Sequence, residues 1–255
     1  MLRFGKRRRR SRLRGQPFPP EWLHIIERNF PFYAKLPPED QRELQGAIQI
    51  FLAEKHFEGC AGLEITDEIR VTIAAQACLL LLHRENDDYP RLETILVYPS
   101  AYMAPSAEEL PGGLVEEGLS ARLGEASPHG VVVLSWDDVR RGAADIHDGH
   151  NVVLHELAHQ LDQEDGASQG LPVLERPSTY VAWARVLGGA YAELRDEIAR
   201  GQSTVLDAYG ATNPAEFFAV ATECFFEKPQ ALQRRHPELY EQLKQFYRQD
   251  PAAYH

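Results

Sequence analysis

Residues 150–166, HNVVLHELAHQLDQEDG, place two histidines four positions apart with a glutamate directly after the first. In an α-helix, four residues advance about 6 Å along the axis and return to within roughly 40° of the starting direction. The imidazoles of His155 and His159 therefore share one face and can converge on one ion. Glu156 is turned about 100° from His155, so its carboxylate stands beside such an ion, where it can hold a water molecule and take its proton. The chemistry this pattern suits is metal-assisted hydrolysis: Zn²⁺ lowers the pKa of the water, the glutamate removes the proton, and the hydroxide attacks a polarised carbonyl. With 10 histidines in 255 residues and glutamate taken as about one residue in twelve, chance produces His-Glu-x-x-His roughly 0.03 times in such a chain.

A catalytic zinc ordinarily has three protein ligands, and the third is not next to the pair. His159 is followed by QLDQEDG, with no glycine and third histidine of the metzincin kind, and His147 and His150 belong to the entry turn of the helix. Two places supply candidates. In NPAEFFAVATECFFEKP, residues 213–229, Glu216 and Glu223 are seven apart and share a face. Glu216 also has a purely local explanation, because Asn213, Pro214 and Glu216 have the spacing of a capping box. The other candidate is Asp207 in STVLDAYG. Nearby, Tyr209 is a phenol donor suited to stabilising a developing oxyanion, and Asp162, three after His159, could orient a ligand imidazole.

These side chains need helices to carry them. Asn151 is a suitable cap and Gly166 a suitable stop for a helix with Leu154, Leu157, Ala158 and Leu161 on its apolar stripe. Further helical periodicity covers about 177–200, 214–227 and 237–247. Towards the N-terminus, Leu44, Ile48 and Phe51 mark one helix, and Thr66 caps another carrying Ile69, Ile73, Ala77, Leu80 and Leu81. The middle changes character: LETILVYPSAYM (92–103) and GVVVLSWDDV (130–139) are short β-branched and aromatic runs that read as strands, with a loop-rich segment or irregular hairpin between them. VVVLSW is expected to lie above the cleft with an edge that can pair with an extended peptide. Helices, strands, then helices indicate an α+β fold.

Composition narrows the class. At 44% apolar residues the chain is globular, and its longest apolar run, VTIAAQACLLLL, is too short to span a membrane. Eight Lys and Arg residues fall within the first fourteen positions, leaving 19 basic against 38 acidic residues in the remainder. Residues 1–18 read as a solvated, disordered arm; binding to nucleic acid or an anionic membrane surface is the alternative. No apolar segment follows the basic run, so it is not expected to be a signal peptide. Cys60, Cys78 and Cys224 are widely spaced and odd in number, as expected of reduced core cysteines.

HELAHQLD, followed by LDAYGATNPAEFFAVATECFF and QFYRQDP, and preceded by ILVYPSAY and VVLSWDDV, resembles the Mlc titration factor A family of zinc peptidases over about residues 20–254. The resemblance implies a gluzincin site with one Zn²⁺ per chain, in which Glu216 of the Pro-Ala-Glu segment is the third ligand and Tyr209 stands near the metal. It implies an α+β, zincin-like metallopeptidase fold related to the catalytic domain of anthrax lethal factor, with a small mixed sheet packed against the active-site helix and flanking helices. On this reading residues 19–255 form one domain, helical over 19–90 and catalytic over 91–255. The expected activity is cytoplasmic and aminopeptidase-like, on peptide substrates. Some members bind the repressor Mlc, so an Mlc-like repressor is an expected partner, and a regulatory binding module is the rival function; direct contact with nucleic acid is not expected. The Arg-rich arm is where the chain departs from the family pattern.

Overall fold

In the computed structural model, residues 2–84, 89–110, 114–122, 124–127, 130–164, 166, 169–174 and 176–254 are described, with backbone only over 2–4 and 102–127. The first part contains helices α1 (Leu2–Arg14), α2 (Pro20–Asn29), α3 (Pro38–Glu54) and α4 (Asp67–Leu79), with strand β1 (His56–Gly59) between α3 and α4. Strands β2 (Thr94–Tyr98), β3 (Tyr102–Leu110), β4 (Leu114–Arg122), β5 (Gly124–Ser127) and β6 (Val131–Ser135) follow. The remainder is helical: α5 (Trp136–Ala144), α6 (Val152–Asp162), α7 (Tyr180–Ala199), α8 (Pro214–Glu227), α9 (Pro229–Arg235) and α10 (Pro237–Tyr247).

The expected caps form. Thr66 Oγ1 accepts from Ile69 N at 3.4 Å at the start of α4, whose residues Val71 to Leu79 are all buried. Such a helix, apolar on all sides, belongs in the centre of the core. The sheet runs in the order β1-β2-β6-β5, parallel across the first three strands and antiparallel at β5. Ile95, Val97, Val132 and Leu134 alternate into the core and are fully buried, as period-two side-chain placement requires. The mixed α and β composition and the small mixed sheet agree with the sequence reading. The segment before residue 90 is not purely helical, because β1 pairs with β2.

Two expectations change, and an open one resolves. The run 130–139 is strand only as far as Ser135; there Ser135 Oγ accepts from Asp138 N at 3.4 Å and the chain turns into α5. The side-chain cap overrides the β-rich composition of the preceding residues. VVVLSW offers no free edge, since β6 is paired on both sides and the edge position belongs to β5, which lies against α6. Between β2 and β6 the loop-rich segment is largely a hairpin: β3 and β4 pair antiparallel from Tyr102↔Arg122 to Leu110↔Leu114, and residues 111–113 lie outside the described residues.

The arm is also not disordered over its described length. Helix α1 packs on α3 through Arg10, whose Nε and Nη2 reach Glu54 at 2.8 and 2.5 Å. Arg9 donates to Ala53 O at 3.1 Å. Arg14 crosses α3 at Gly46, where a Cβ would lie 3.1 Å from Arg14 Cγ. Arginine stems can cover a neighbouring helix while their guanidinium groups find oxygens, which a count of charges alone does not reveal.

Candidate metal centre

Helix α6 starts where Asn151 Oδ1 accepts from Val153 N and Leu154 N at 3.1 and 3.0 Å. Its apolar stripe, Val153, Leu154, Leu157, Ala158 and Leu161, is buried, which turns His155 and His159 towards α8 with ring centroids 4.9 Å apart. Helix α8 is capped in the same manner: Asn213 Oδ1 accepts from Ala215 N and Glu216 N at 2.9 and 3.0 Å. Phe217, Phe218, Phe225 and Phe226 anchor α8 in the core and leave its acidic face against α6. The backbone of Glu216 takes part in the cap, but its side chain does not fold back into a capping box. Glu216 Oε2 lies 3.0 Å from His155 Nε2 and 3.3 Å from His159 Nε2.

Two imidazole nitrogens and one carboxylate oxygen thus meet at one point, the donor set that zinc takes. Ligands at about 2.0–2.1 Å in a tetrahedron stand ~3.3 Å from one another, and the His–Glu separations match that edge. The residues present fit a zinc ion.

Glu223, two turns beyond Glu216, accepts from His155 Nδ1 at 2.7 Å and from Asn151 N at 2.5 Å. A carboxylate accepting from Nδ1 holds a proton on that nitrogen and so leaves Nε2, the nitrogen nearest Glu216 and His159, as the one that would bind a metal. Asn151 Nδ2 donates in turn to Gly142 O at 3.0 Å and to Glu227 at 3.1 Å. The surroundings favour positive charge at this point. Burial acts to lower the pKa of His155, but its hydrogen bonds to the Glu216 and Glu223 carboxylates prevail and raise it to about 10. Burial acts to raise Glu216, and its bonds to His155 and His159 outweigh it, drawing the carboxyl down to about 2. Glu156 behaves differently: burial lifts it to about 7, against the pull of the two histidines. A carboxyl poised near neutrality suits proton transfer in both directions.

Glu156, His155, Tyr209 and Glu223 line one cavity of about 380 Å³. Tyr209 is 55% exposed, and its ring centroid lies 5.9 Å from that of His155. Asp207 stays out of the ligand cluster; it accepts from Tyr209 N at 2.7 Å and faces His150 at 3.8 Å. Asp162 does not orient an imidazole. Its two oxygens accept from Gly170 N and Leu171 N at 2.8 and 2.7 Å, pinning the segment that follows α6. Glu223 supplies the orienting carboxylate instead. The seven-residue spacing signalled it, but could not say which of the two glutamates faced the outer nitrogen.

Another acidic–histidine grouping, Asp40, Glu43 and His83, is of a different kind. Asp40 approaches Nε2 at 3.1 Å and Glu43 approaches Nδ1 at 3.5 Å, so the carboxylates clamp opposite sides of the ring. Among the described residues Cys60, Cys78 and Cys224 form no disulfide; Cys78 and Cys224 lie in the core as expected, and Cys60 is partly exposed. Among the described residues no helix is long and apolar enough to cross a membrane.

Residues 4–248 match the model of the glucose-regulated metallo-peptidase M90 family. The chain belongs to this family. The match takes in most of the Arg-rich helix, so that helix is not an addition to the family pattern. A Synechocystis protein, slr2042, is 44% identical over 244 residues, covering 95% of this chain and 89% of that one. Mlc titration factor A of Serratia proteamaculans is 35% identical over 224 residues, 86% of this chain and 84% of the relative. Mlc titration factor A of Yersinia pestis is 33% identical over 236 residues, 91% and 86% of the two chains.

Proposed function

We propose that the protein is a zinc-dependent peptidase of aminopeptidase type, with a zincin-like catalytic fold and a gluzincin site. The observation that carries this reading is the convergence of His155 Nε2, His159 Nε2 and Glu216 Oε2 beside the buried Glu156. His155, His159 and Glu216 are the metal ligands, and family membership supports a metal-dependent peptidase. When bound, the zinc supplies Lewis acidity to the substrate carbonyl and to water.

The chain's own groups do the rest. Glu156 positions the attacking water, accepts its proton and returns it to the departing amine. Tyr209 donates its phenol hydrogen to the carbonyl oxygen as negative charge develops there. Glu223 keeps the Nε2 lone pair of His155 directed inward. Of the two edge strands, β5 is the one beside α6, and strand addition there would lay an extended peptide alongside that helix. Free cysteines accord with a cytoplasmic location.

A second reading is regulatory. The name of two relatives, Mlc titration factor A, supports binding of an Mlc-like repressor, with hydrolysis secondary. Glu156→Gln separates the two readings. It is expected to retain zinc and fold while losing hydrolysis of peptide substrates, and chelation is expected to abolish wild-type turnover. Turnover by Glu156→Gln at the wild-type rate would refute the peptidase mechanism. Full complementation of a deletion strain by that variant would make repressor binding the biological role.

A further inference from the structure

A second cavity, of about 340 Å³, adjoins the one containing His155 and Glu156 and shares His150 and Asp207 with it. Its wall includes Lys228, the residue directly after α8, whose backbone N–H closes the helix on Cys224 O at 2.8 Å. The lysine side chain lies flat against Gly149. A Cβ at that glycine would stand 3.0 Å from Lys228 Nζ, 3.1 Å from Cε and 3.2 Å from Cδ. Gly149 also has φ +75°, a conformation that suits glycine. The loop entering α6 therefore leaves a groove that guides the ammonium to the cavity beside the catalytic one.

That ammonium has no carboxylate within ion-pairing distance among the described residues. Asp207, the acidic group in the same wall, is engaged by Tyr209 N at 2.7 Å and turned to His150 at 3.8 Å. A half-buried, unpaired cation lining a cavity that shares two wall residues with the candidate hydrolytic site is placed to receive an anionic group of the substrate. In a chain of net charge −11 a local cation is also what permits an anionic group to approach. We propose that Lys228 binds a substrate carboxylate in this side pocket, so that peptides carrying that charge close to the scissile bond are preferred. The proposal rests on the peptidase reading of the site. The carboxylate is either the chain terminus or an acidic side chain, and matched substrates tell the two apart.

The test uses the full-length, zinc-loaded protein. A peptide library first identifies a cleaved sequence, which is then made with a free or amidated C-terminus and with Glu or Gln at each neighbouring position. A charge-assisted hydrogen bond is worth about 1.5–3 kcal/mol, or roughly 10–100-fold. Wild-type protein is expected to favour one charged form over its neutral partner by at least about tenfold, chiefly in KM. Lys228→Met should erase that preference and Lys228→Arg should keep most of it. A preference in the amidated pair assigns the terminus, and one in a Glu/Gln pair assigns the side chain. The alternative role for Lys228 is structural, as a cation at the C-terminal end of α8. In that case Lys228→Met slows charged and neutral peptides alike, and the proposal is overturned. Cleavage with no charge preference overturns the side pocket alone. If no peptide is cleaved, the peptidase reading fails and the side pocket falls with it.

Discussion

Single atoms decide the division of labour in the site. Glu216 and Glu223 are chemically identical and two turns apart, yet one meets the inner nitrogens of both histidines and the other the outer nitrogen of His155. Glu223→Gln tests this. Each oxygen of Glu223 accepts from a different N–H, His155 Nδ1 and Asn151 N, so an amide nitrogen in either place sets donor against donor. Zinc affinity, measured against a competing chelator, is expected to fall about 10–100-fold with the fold intact; an unchanged affinity would remove Glu223 from its orienting role. Glu227 offers a pH-dependent prediction. Burial, reinforced by the charges of Glu223 and Asp148 and opposed by Asn151, pushes its carboxyl from the ordinary 4.5 up to about 9. A raised carboxyl stabilises the folded state fully below its unfolded value, and that contribution is lost as pH rises towards the folded one. Glu227→Gln keeps an acceptor for Asn151 but does not titrate. Its Tm advantage over wild type should be small near pH 5 and grow to pH 9, at about 2–4 °C per kcal/mol. A difference independent of pH would show that Glu227 does not titrate as inferred.

At the scale of elements, the junction of α6 and α8 depends on Asn151. Its Oδ1 caps α6, its Nδ2 reaches Gly142 and Glu227, and its backbone N–H meets Glu223. Asn151→Ser keeps a capping oxygen and loses the amide donors. Leaving Gly142 O and Glu227 without that partner should cost ~1–3 kcal/mol, read from denaturant unfolding. A cost within a few tenths of a kcal/mol would mean that Asn151 acts only as a cap. Much of this scale was legible beforehand: the helices at 177–200, 214–227 and 237–247 agree with the turn at 177–179, α7, α8 and α10, because apolar spacing and Pro or Asn at helix starts are local signals. Helix α9 was not anticipated; at seven residues it is too short to show a period. Helix α1 was misread because its partner, Glu54 on α3, lies 44 positions away.

For the whole molecule, the candidate metal site joins distant parts of one core. His159 and Glu216 are 57 residues apart, and α8 is held by an aromatic cluster in which Phe225 contacts Tyr240 and Tyr247. An ion that binds the folded chain in preference to the unfolded one adds RT ln(1 + [Zn]/Kd), about 4 kcal/mol at a thousandfold excess over Kd. Zinc is therefore expected to raise Tm by several degrees, reversibly on chelation, and Glu216→Ala should abolish most of the shift while Asp207→Ala preserves it. The opposite ranking would transfer the third ligand to Asp207.

The amino-acid sequence by itself determined the arrangement within α6. His155, Glu156 and His159 belong to one helix, and helical geometry alone sets their relative directions. It also offered Glu216, Glu223 and Asp207 as partners without ranking them by geometry. Only tertiary structure brings Glu216 to both histidines and Glu223 to the outer nitrogen of His155, because the angle and register at which α8 meets α6 come from packing Phe217, Phe218, Phe225 and Phe226 into the core. The same holds for the docking of α1, the edge position of β5, and the groove at Gly149 that guides Lys228. Each depends on which surfaces meet, and spacing along one chain does not encode that.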